Sequence, residues 1–381
     1  MFKVEKDMTA KQNIRLIIAG GGTGGHLFPA MAIAQTIKKL NPTAEILFVG
    51  ALGRMEMEKV PAAGYPIVGL PIEGFNRKNI LKNFKVLLKL LKSLRLSRTI
   101  LKQFNPHAVI GVGGYASGPL LWMASYRNIP IYIQEQNSYA GITNKLLAKK
   151  AKKIFVAYPA MEKFFPANKI ELTGNPIREG IENVAGLRQK AIEHFKLSPE
   201  RKTILCLGGS LGARSINEAI LVHLPWLYTQ KQVQLIWQCG KIYYAQLQPK
   251  VDATQNVVLL DFIAEMDLAY AAADVIISRA GAGTISELCV VGKPVVLVPS
   301  PNVAEDHQTK NAMALVQSNA AVLIPDKEAK EKLLPETIKL LSQENLCNTL
   351  SENIKKLALP QAAISIANAI LNDINIDNDG F

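Results

Sequence analysis

Short apolar runs alternate with longer amphipathic stretches along most of the chain. This alternation is typical of βαβ units around parallel sheets, whose strands are buried on both faces and read as continuous apolar runs. The pattern predicts strands in the first half at Arg15–Ala19, Glu45–Val49, Pro66–Leu70, Ala108–Gly111, Ile129–Ile133 and Lys153–Ala157. It predicts strands in the second half at Thr203–Leu207, Gln234–Gln238, Asn256–Leu260, Val275–Ser278, Pro294–Val298 and Ala321–Ile324. Helices are predicted between them, for example at Pro29–Leu40, Ile216–His223 and Ser286–Val291.

The two halves repeat one device, in which an apolar strand runs into a glycine turn and then a helix. The first copy joins Leu16–Ala19 to Gly20–His26, and the second joins Ile204–Leu207 to Gly208–Arg214. Gly and Pro interrupt the pattern between the copies, so we place the inter-domain connection near Asn175–Pro176.

This organisation predicts an α/β chain of two Rossmann-like, doubly wound domains that face a cleft holding the active site. We predict an N-terminal domain at 14–176 and a C-terminal domain at 177–357. A final helix at about 360–372 is expected to pack back on the N-terminal domain.

Composition narrows the class of protein. The chain has 381 residues, 49% hydrophobic and 20% charged, which is enough for two globular cores. No signal peptide and no run of about 18 apolar residues is present, so we expect neither export nor a spanning helix. The four cysteines have no metal-ligand spacing and are interpreted as buried apolar residues in a reducing cytosol. The net charge of +13 predicts an anionic partner: nucleic acid, a membrane surface or phosphorylated substrates.

The first glycine turn has the spacing of a phosphate-binding loop, with Gly20, Gly22 and Gly25. A dinucleotide site needs an acid at the end of the second strand, but that strand runs into Gly50-Ala51-Leu52, which disfavours NAD. Neither turn contains the Gly-Lys-Ser/Thr of a Walker loop. The alternative is that the glycines serve close helix–strand packing alone, and this alternative is stronger for the second turn.

His26 follows the first glycine turn at a helix N-terminus, which disfavours imidazolium and leaves a neutral ring able to accept a proton. A purely structural histidine is the alternative. A third segment, Ser278–Glu287, places small residues and hydroxyls at the start of a helix, where backbone N–H groups can approach a diphosphate. Glu287 is either a helix cap or an acceptor for sugar hydroxyls. Asp306–Asn311 adds polar groups after the next strand.

Together these motifs resemble the MurG family of bacterial glycosyltransferases. The residues that carry the resemblance are Gly21–His26, Gly113–Pro119, Glu135–Asn137, Gly174–Arg178, Gly208–Arg214 and Gly281–Glu287, in family order within about 14–370. The resemblance implies the two-domain GT-B fold, UDP-N-acetylglucosamine as donor and lipid I as acceptor. It implies transfer with inversion to give lipid II, at the cytoplasmic face of the inner membrane. Cell-wall and division proteins are further candidate partners.

The resemblance also implies a set of site residues. The implied donor contacts are Thr23, Gly24, Gly25, Asn137, Arg178, Ser210, Ile263, Arg279, Ala282, Gly283, Thr284, Ile285, Ser286, Glu287 and Gln308. Backbone groups near Ile263 and Arg279 would read the uracil, Ser210 and the Ala282–Thr284 turn would hold the diphosphate, and Glu287 would bind ribose or sugar hydroxyls. The loops around His26 and Tyr115 would receive the acceptor diphosphate.

The chemistry of an inverting transfer assigns roles to some of these residues. We take His26 and Glu287 as the candidate catalytic residues, with His26 as the base for the acceptor hydroxyl. Arg178 and backbone N–H groups would stabilise departing UDP, so we expect neither a metal nor another cofactor. Two departures from the family pattern stand out: Gly283 replaces a larger apolar residue, and the spacing that places Gln308 varies. The DxD-like string at Asp377–Asp379 is interpreted as solvated.

The stretch Asn76–Gln103 carries basic residues and no acid. Its lysines (Lys78, Lys82, Lys85, Lys89 and Lys92) share one helical face, and its apolar residues (Phe84, Leu87, Leu88, Leu91 and Leu94) form another. A basic amphipathic helix is typical of binding to an anionic membrane surface. The alternative is a core-facing helix with a solvated basic back, and nucleic acid is disfavoured because no nucleic-acid-binding fold accompanies the charge.

Two other functions stay open on the sequence. One is a different enzyme on the same fold that uses a UDP-sugar, such as a 2-epimerase or a transferase with another lipid acceptor. The other is a non-catalytic membrane recruiter.

Overall fold

The computed structural model describes residues 13–74, 83–178, 180–209, 211–252, 255–303 and 306–379. Contacts divide them into two compact units. Unit 1 runs to Gln136, resumes over Ala140–Pro176 and resumes again from Gln361, whereas unit 2 comprises Asn137–Tyr139 and Ile177–Pro360. Each unit is an α/β layer structure built on one parallel sheet.

Unit 1 contains seven parallel strands in the order β3-β2-β1-β4-β5-β6-β7. Its elements are β1 Arg15–Ala19, α1 Gly24–Leu40, β2 Glu45–Ala51, α2 Glu56–Ala62, β3 Ile67–Leu70, α3 Asn83–Phe104, β4 Ala108–Gly111, α4 Ser117–Tyr126, β5 Ile131–Glu135, α5 Ile142–Leu147, β6 Lys153–Val156 and β7 Ile170–Leu172.

Unit 2 contains six parallel strands in the order β10-β9-β8-β11-β12-β13. Its elements are α6 Arg188–Phe195, β8 Lys202–Leu207, α7 Arg214–Thr229, β9 Val233–Gln238, α8 Lys241–Leu247, β10 Val257–Leu260, α9 Met266–Ala272, β11 Val275–Ser278, α10 Ala282–Val291, β12 Val295–Leu297, α11 His307–Gln317, β13 Val322–Leu323, α12 Ala329–Leu341 and α13 Glu344–Lys356. The last helix, α14 Ala362–Asp379, belongs to unit 1.

The predicted fold class is confirmed, since both halves are parallel-sheet, Rossmann-like domains. Strands such as Leu16–Ile18 and Ile204–Cys206 are fully buried because helices cover both faces of each sheet. The strand order reverses between β1 and β4 in unit 1 and between β8 and β11 in unit 2. At each switch point, the loops that follow two adjacent strands run to opposite faces of the sheet. In folds of this kind this leaves a crevice for ligands at the carboxyl ends of those strands.

Several elements differ from the sequence-based prediction. The edge strand β7 was not predicted, and α1 begins at Gly24 instead of Pro29, so the glycine turn itself starts the helix. Helix α14 extends to Asp379, so the DxD-like string lies in a helix and not in a tail, although its side chains are outside the described residues.

Helix α14 packs on α1 in unit 1. Its inward residues Ile366, Ile370 and Ile374 join the core formed with β1, β2 and β4. Helix α14, far from β1 in the sequence, therefore completes the hydrophobic core of the first unit.

Helix α3 presents an unexpected face to the core. Val86, Ser93, Ser97 and Leu101 are buried, whereas the predicted apolar face is largely exposed. Phe84, Leu87, Leu88 and Leu91 all lie at the surface. Lys78 and Lys82, which were predicted to belong to the basic face, lie outside the described residues. Among the helices that the structure describes, none is long and apolar enough to cross a membrane.

Candidate active site

In unit 1 the loop after β1, which contains Gly20–Gly22, meets the loop after β4, which contains Gly113 and Gly114, at the switch point between these strands. A side chain at Gly20 would collide with Val112, and one at Gly114 would lie 2.4 Å from the carbonyl oxygen of Gly21. The two loops can therefore touch only because they lack side chains. This contact places the turn that follows β1 directly beside the turn that follows β4.

His26 lies in the first turn of α1, beside both loops. Its Nδ1 lies 3.1 Å from Oγ1 of Thr23, the N-cap residue. The other edge of the ring faces Gly113, where the Cβ of any larger residue would lie 2.8 Å from Nε2. Thr23 on one side and the bare backbone of Gly113 on the other therefore fix the orientation of the imidazole.

A buried acid holds the first glycine turn, and the sequence analysis missed it. The carboxylate of Glu56, 1% exposed, accepts the N–H of Gly22 at 3.0 Å to both oxygens and the N–H of Ala51 at 3.0 Å. Ala51 ends β2, so an acid does occupy the position where a dinucleotide-binding domain binds ribose. Because its oxygens already bind the protein's own backbone, the structural reason against NAD is stronger than the one read from the sequence.

Tyr115, predicted to help receive the acceptor, follows Gly114 and is 59% exposed. Its ring covers Gly74, where a side chain would overlap the phenol. The tyrosine therefore lies on the surface at the same edge of the sheet as His26.

In unit 2 the predicted donor residues Arg178 and Glu287 bind each other. Arg178 Nε donates to Glu287 Oε1 at 2.8 Å, and the hydroxyl of Tyr270 donates to Oε2 at 2.9 Å. Glu287 is 8% exposed, and burial raises the pKa of its carboxyl group, while the charge of Arg178 and the two hydrogen bonds lower it. Each carboxylate oxygen has a second lone pair, so Glu287 can still accept hydroxyl groups of a ligand.

Helix α10 begins at the carboxyl end of β11 with no side-chain cap and no acid in its first turn. Such an N-terminus is suited to an anion, because the helix dipole and backbone N–H groups point toward it. A Cβ atom at Gly283 would meet no atom of the described residues within 4 Å, so among these residues there is space above this turn. The hydroxyl of Ser286 donates to the carbonyl of Ala282 at 3.1 Å, so in this structure it is directed into the helix.

Arg279 and Gln308 organise the loops beside α10. The guanidinium of Arg279 donates to Asp326, to Ser215 and to the carbonyl of Val298, so its side chain buttresses the loops. Gln308 Oε1 accepts the N–H groups of Ala280 and Ser300. This arrangement directs the amide nitrogen of Gln308 away from those two loops.

The remaining predicted donor residues are more dispersed. Asn137 is contacted by Asn311, whose Nδ2 donates to Asn137 Oδ1 at 3.4 Å and whose Oδ1 accepts the N–H of Ser138 at 3.2 Å. Ile263 follows β10, with its side chain buried. Ser210 lies outside the described residues.

The predicted residues thus form two groups, one in each unit. Thr23, Gly24, Gly25, His26 and Tyr115 gather at the switch point of unit 1. Arg178, Glu287, Gln308 and the first turn of α10 gather at the carboxyl edge of the sheet in unit 2. Among the described residues, no group of three or more His, Cys, Asp or Glu side chains could hold a metal ion.

Comparison with known proteins identifies the class. Residues 16–156 match the glycosyltransferase family 28 N-terminal domain, and residues 203–366 match the glycosyltransferase family 28 C-terminal domain. Both units therefore come from one class of enzyme, the family 28 glycosyltransferases.

The curated relatives are more specific. A protein of Phocaeicola vulgatus is 58% identical over 94% of this chain and 96% of its own, and one of Bacteroides fragilis is 57% identical over 94% and 95%. Both are named UDP-N-acetylglucosamine--N-acetylmuramyl-(pentapeptide) pyrophosphoryl-undecaprenol N-acetylglucosamine transferase. Similar solved structures include Acinetobacter baumannii MurG, 28% identical over 94% of this chain and 99% of its own, with a TM-score of 0.74. The chain belongs to the MurG family.

One solved structure shares the fold without close relationship. A UDP-GlcNAc 2-epimerase from Neisseria meningitidis superposes with a TM-score of 0.65 over 95% of this chain and all of its own, but it is 14% identical. At this identity the likeness concerns the fold alone.

Proposed function

We infer that this protein transfers N-acetylglucosamine from UDP-N-acetylglucosamine to the N-acetylmuramyl 4-hydroxyl of undecaprenyl-pyrophosphoryl-N-acetylmuramyl-pentapeptide, lipid I, and so makes lipid II for peptidoglycan. The observation that carries this inference is the identity above 50% to curated relatives of that name over nearly the whole chain. The alternative 2-epimerase function has support from the fold alone.

We propose that unit 2 binds the donor. The uncapped N-terminus of α10 suits the diphosphate, and Glu287 suits two neighbouring hydroxyl groups. Arg178 is 40% exposed, so its guanidinium is accessible to the diphosphate as negative charge develops on departing UDP. Gln308 completes the proposed donor site. The side chain of Arg279 is held by Asp326, so we propose that its backbone, together with the backbone near Ile263, binds uracil.

We propose that unit 1 supplies the base. His26 would accept the proton of the acceptor hydroxyl as that oxygen attacks the anomeric carbon and the bond to UDP breaks. Attack from the side opposite UDP gives inversion. Thr23, Gly24 and Gly25, which the resemblance assigns to the donor, lie at the start of α1, a position whose N–H groups suit a diphosphate. The loops around His26 and Tyr115 are proposed to receive the acceptor diphosphate.

The test of this function is UDP release measured with donor alone and with a lipid I analogue. A transferase releases UDP only when the acceptor is present and forms the disaccharide in equal amount. An epimerised sugar formed from the donor alone, free or still linked to UDP, would identify an epimerase, and no product under either condition would leave a non-catalytic binder.

We further propose that the protein works at an anionic membrane surface and meets cell-wall and division proteins there. Phe84, Leu87, Leu88 and Leu91 recur at helical spacing on the outer face of α3, and Phe84 is 68% exposed. Lys85 and Lys92 are exposed on the neighbouring helical face, beside these apolar residues. This combination is typical of helices that lie in a lipid interface.

Helix α4 packs against α3 and also exposes large apolar side chains next to a lysine. Lys150 Nζ lies 4.3 Å from the ring centre of Trp122 and 4.6 Å from that of Tyr126, and both rings are exposed. Amphipathic aromatic rings favour membrane interfaces, where a cation beside them can meet lipid phosphate.

The membrane proposal is tested by sedimentation with vesicles that contain phosphatidylglycerol. The Lys85→Glu/Lys92→Glu variant should bind more weakly, and salt should weaken wild-type binding, because screening shortens the Debye length to roughly 3 Å at 1 M. Lys231→Glu/Lys250→Glu in unit 2 makes the same change in net charge at exposed positions and serves as the control. Equal binding by both variants would place the membrane contact elsewhere.

A further inference from the structure

Tyr270 is a buried residue of unit 2 that has no assigned role in the proposed donor site. It lies in the second turn of α9, a short helix in which most other residues are small or aliphatic, and its side chain is fully buried. A phenylalanine would fill the same volume without placing a hydroxyl group in the core, where an unpaired hydroxyl is costly. The hydroxyl has a specific partner, because it donates to Glu287 Oε2 at 2.9 Å.

Arg178 and Tyr270 bind Glu287 in different ways. Arg178 reaches Oε1 from a position that is 40% exposed, whereas Tyr270 reaches Oε2 from inside the core. If Arg178 turns toward the diphosphate when the donor binds, Tyr270 is the partner that stays. A carboxylate that loses one of two hydrogen bonds keeps its orientation only if the other is fixed.

We propose that Tyr270 is a positioning residue of the donor site, which holds the carboxylate of Glu287 ionised and oriented so that it can accept hydroxyl groups of UDP-N-acetylglucosamine. The proposal rests on the proposed donor role of Glu287 and adds the residue through which that role is maintained. Tyr270 itself does not touch the donor.

The electrostatics agree with this geometry. Burial raises the pKa of Tyr270 well above its ordinary value, and the charge of Glu287 raises it further, so the phenol stays protonated and always donates. Burial raises the pKa of Glu287, and Arg178 and Tyr270 oppose that rise. Among the described residues these two are the charged or titratable groups that act on this carboxyl group.

The direction of the pH effect follows from these causes. A protonated Glu287 has one oxygen that donates and can no longer accept two hydroxyl groups, so donor affinity falls as pH falls through the pKa of Glu287. Removing the Tyr270 hydroxyl removes a cause that lowers this pKa. The pH at which affinity begins to fall therefore moves upward in the variant.

The experiment is isothermal titration of the full chain with UDP-N-acetylglucosamine, without acceptor, from about pH 4.5 to 8.5. This donor is suited to the test because its diphosphate is a diester and stays ionised over that range. For Tyr270→Phe we expect the acid limb to shift upward by about one pH unit, which corresponds to about 10-fold weaker binding below the limb and nearly unchanged binding above it.

The matched control is Tyr132→Phe in unit 1, which also removes a fully buried hydroxyl that donates to a carboxylate, here Asp373 Oδ2 at 3.1 Å. It should titrate as wild type. A stability effect common to both variants leaves the acid limb in place, so an unshifted limb in Tyr270→Phe, or an equal shift in the control, overturns the proposal.

Two further variants separate the proposal from its premise. Glu287→Gln should bind the donor weakly and without an acid limb, and adding Tyr270→Phe to it should have no further effect if Tyr270 acts through Glu287. Wild-type affinity in Glu287→Gln would refute the donor role of Glu287 itself. If Tyr270→Phe folds poorly, 3-fluorotyrosine at position 270 keeps the shape and strengthens the donor, so the limb should move to lower pH; movement in the opposite direction contradicts the proposal.

Discussion

Replacing Glu56 with glutamine tests whether a buried carboxylate holds the first glycine turn in shape. In the wild-type protein both carboxylate oxygens lie 3.0 Å from the nitrogen of Gly22, and Oε1 also lies 3.0 Å from the nitrogen of Ala51. Glutamine keeps one acceptor oxygen but places an NH₂ group where the other oxygen was. That group cannot accept the N–H of Gly22, and the charge is lost.

The expected cost follows from these contacts. Hydrogen bonds to a charged acceptor contribute about 1.5–3 kcal/mol each and neutral ones about 0.5–1.5, so weakening two of them lowers the free energy of unfolding by roughly 2 kcal/mol. For a unit of this size, each kcal/mol lowers the midpoint of thermal unfolding by about 2–4 °C, which gives roughly 4–8 °C.

Hydrogen exchange followed by mass spectrometry gives the local readout. Peptides that contain Gly22 and Ala51 should exchange faster in Glu56→Gln. Acceptor-dependent turnover should fall because His26 follows the same turn, while affinity for UDP, bound in unit 2, should not change.

Glu58→Gln is the matched control, because Glu58 lies in the same helix with its side chain 83% exposed. It should exchange and unfold as wild type. If Glu56→Gln shows the same exchange in these peptides as Glu58→Gln, the carboxylate does not hold the turn and the reasoning is wrong.

Three further outcomes follow from the two sites. His26→Ala should lower turnover, measured by steady-state kinetics, by about 10²–10⁴-fold and should retain UDP affinity, measured by calorimetry. Lost donor binding with normal turnover at saturation would make His26 a binding residue instead. Gly113→Ala (φ +91°) should lower turnover because its methyl group would lie 2.6 Å from His26 Cδ2. Gly64→Ala (φ +83°) carries the same backbone strain, but its methyl group would meet no atom of the described residues within 4 Å, so it should stay active; equal loss in both would point to strain alone. Gly283→Ala, in open space within α10, should raise the free energy of unfolding by about 0.4–1 kcal/mol and leave UDP affinity unchanged, and weakened binding would show that the turn requires glycine.

Much of the fold was predictable because buried parallel strands are continuous apolar runs. Strands such as Ala108–Gly111 and Val275–Ser278 were predicted with the observed bounds. The edge strand Ile170–Leu172 was missed because it has three residues, one of them charged, and its Leu172 is exposed. The inward face of α3 was also missed, since tertiary packing buries Ser93 and Ser97 there and leaves Leu87, Leu88 and Leu91 exposed.

The candidate site was predictable where motifs are local and unpredictable where contacts are distant. Glu56 lies 34 residues from Gly22. The dinucleotide-binding pattern expects its acid at the end of the second strand, whereas the side chain of Glu56 returns to that point from α2. The signal was an acid within the first turn of the helix after that strand. Tyr270 looks like an ordinary core residue in its alanine-rich helix, and only the fold shows that its hydroxyl meets Glu287. The rotamer of Ser286, which directs its hydroxyl into α10, has no sequence signal at all.

The placement of α14 in unit 1 has a consequence for biosynthesis. Domains usually fold in the order in which the ribosome delivers them. Here the N-terminal sheet emerges first but lacks Ile366, Ile370 and Ile374, which cover part of its core. Apart from Asn137–Tyr139, unit 2 is continuous from Ile177 to Pro360 and is complete before those residues have been translated. The nascent N-terminal sheet therefore keeps an apolar surface uncovered until Ile366, Ile370 and Ile374 have been translated, and a chain truncated at about residue 360 would expose that surface to chaperones and proteases in its N-terminal unit.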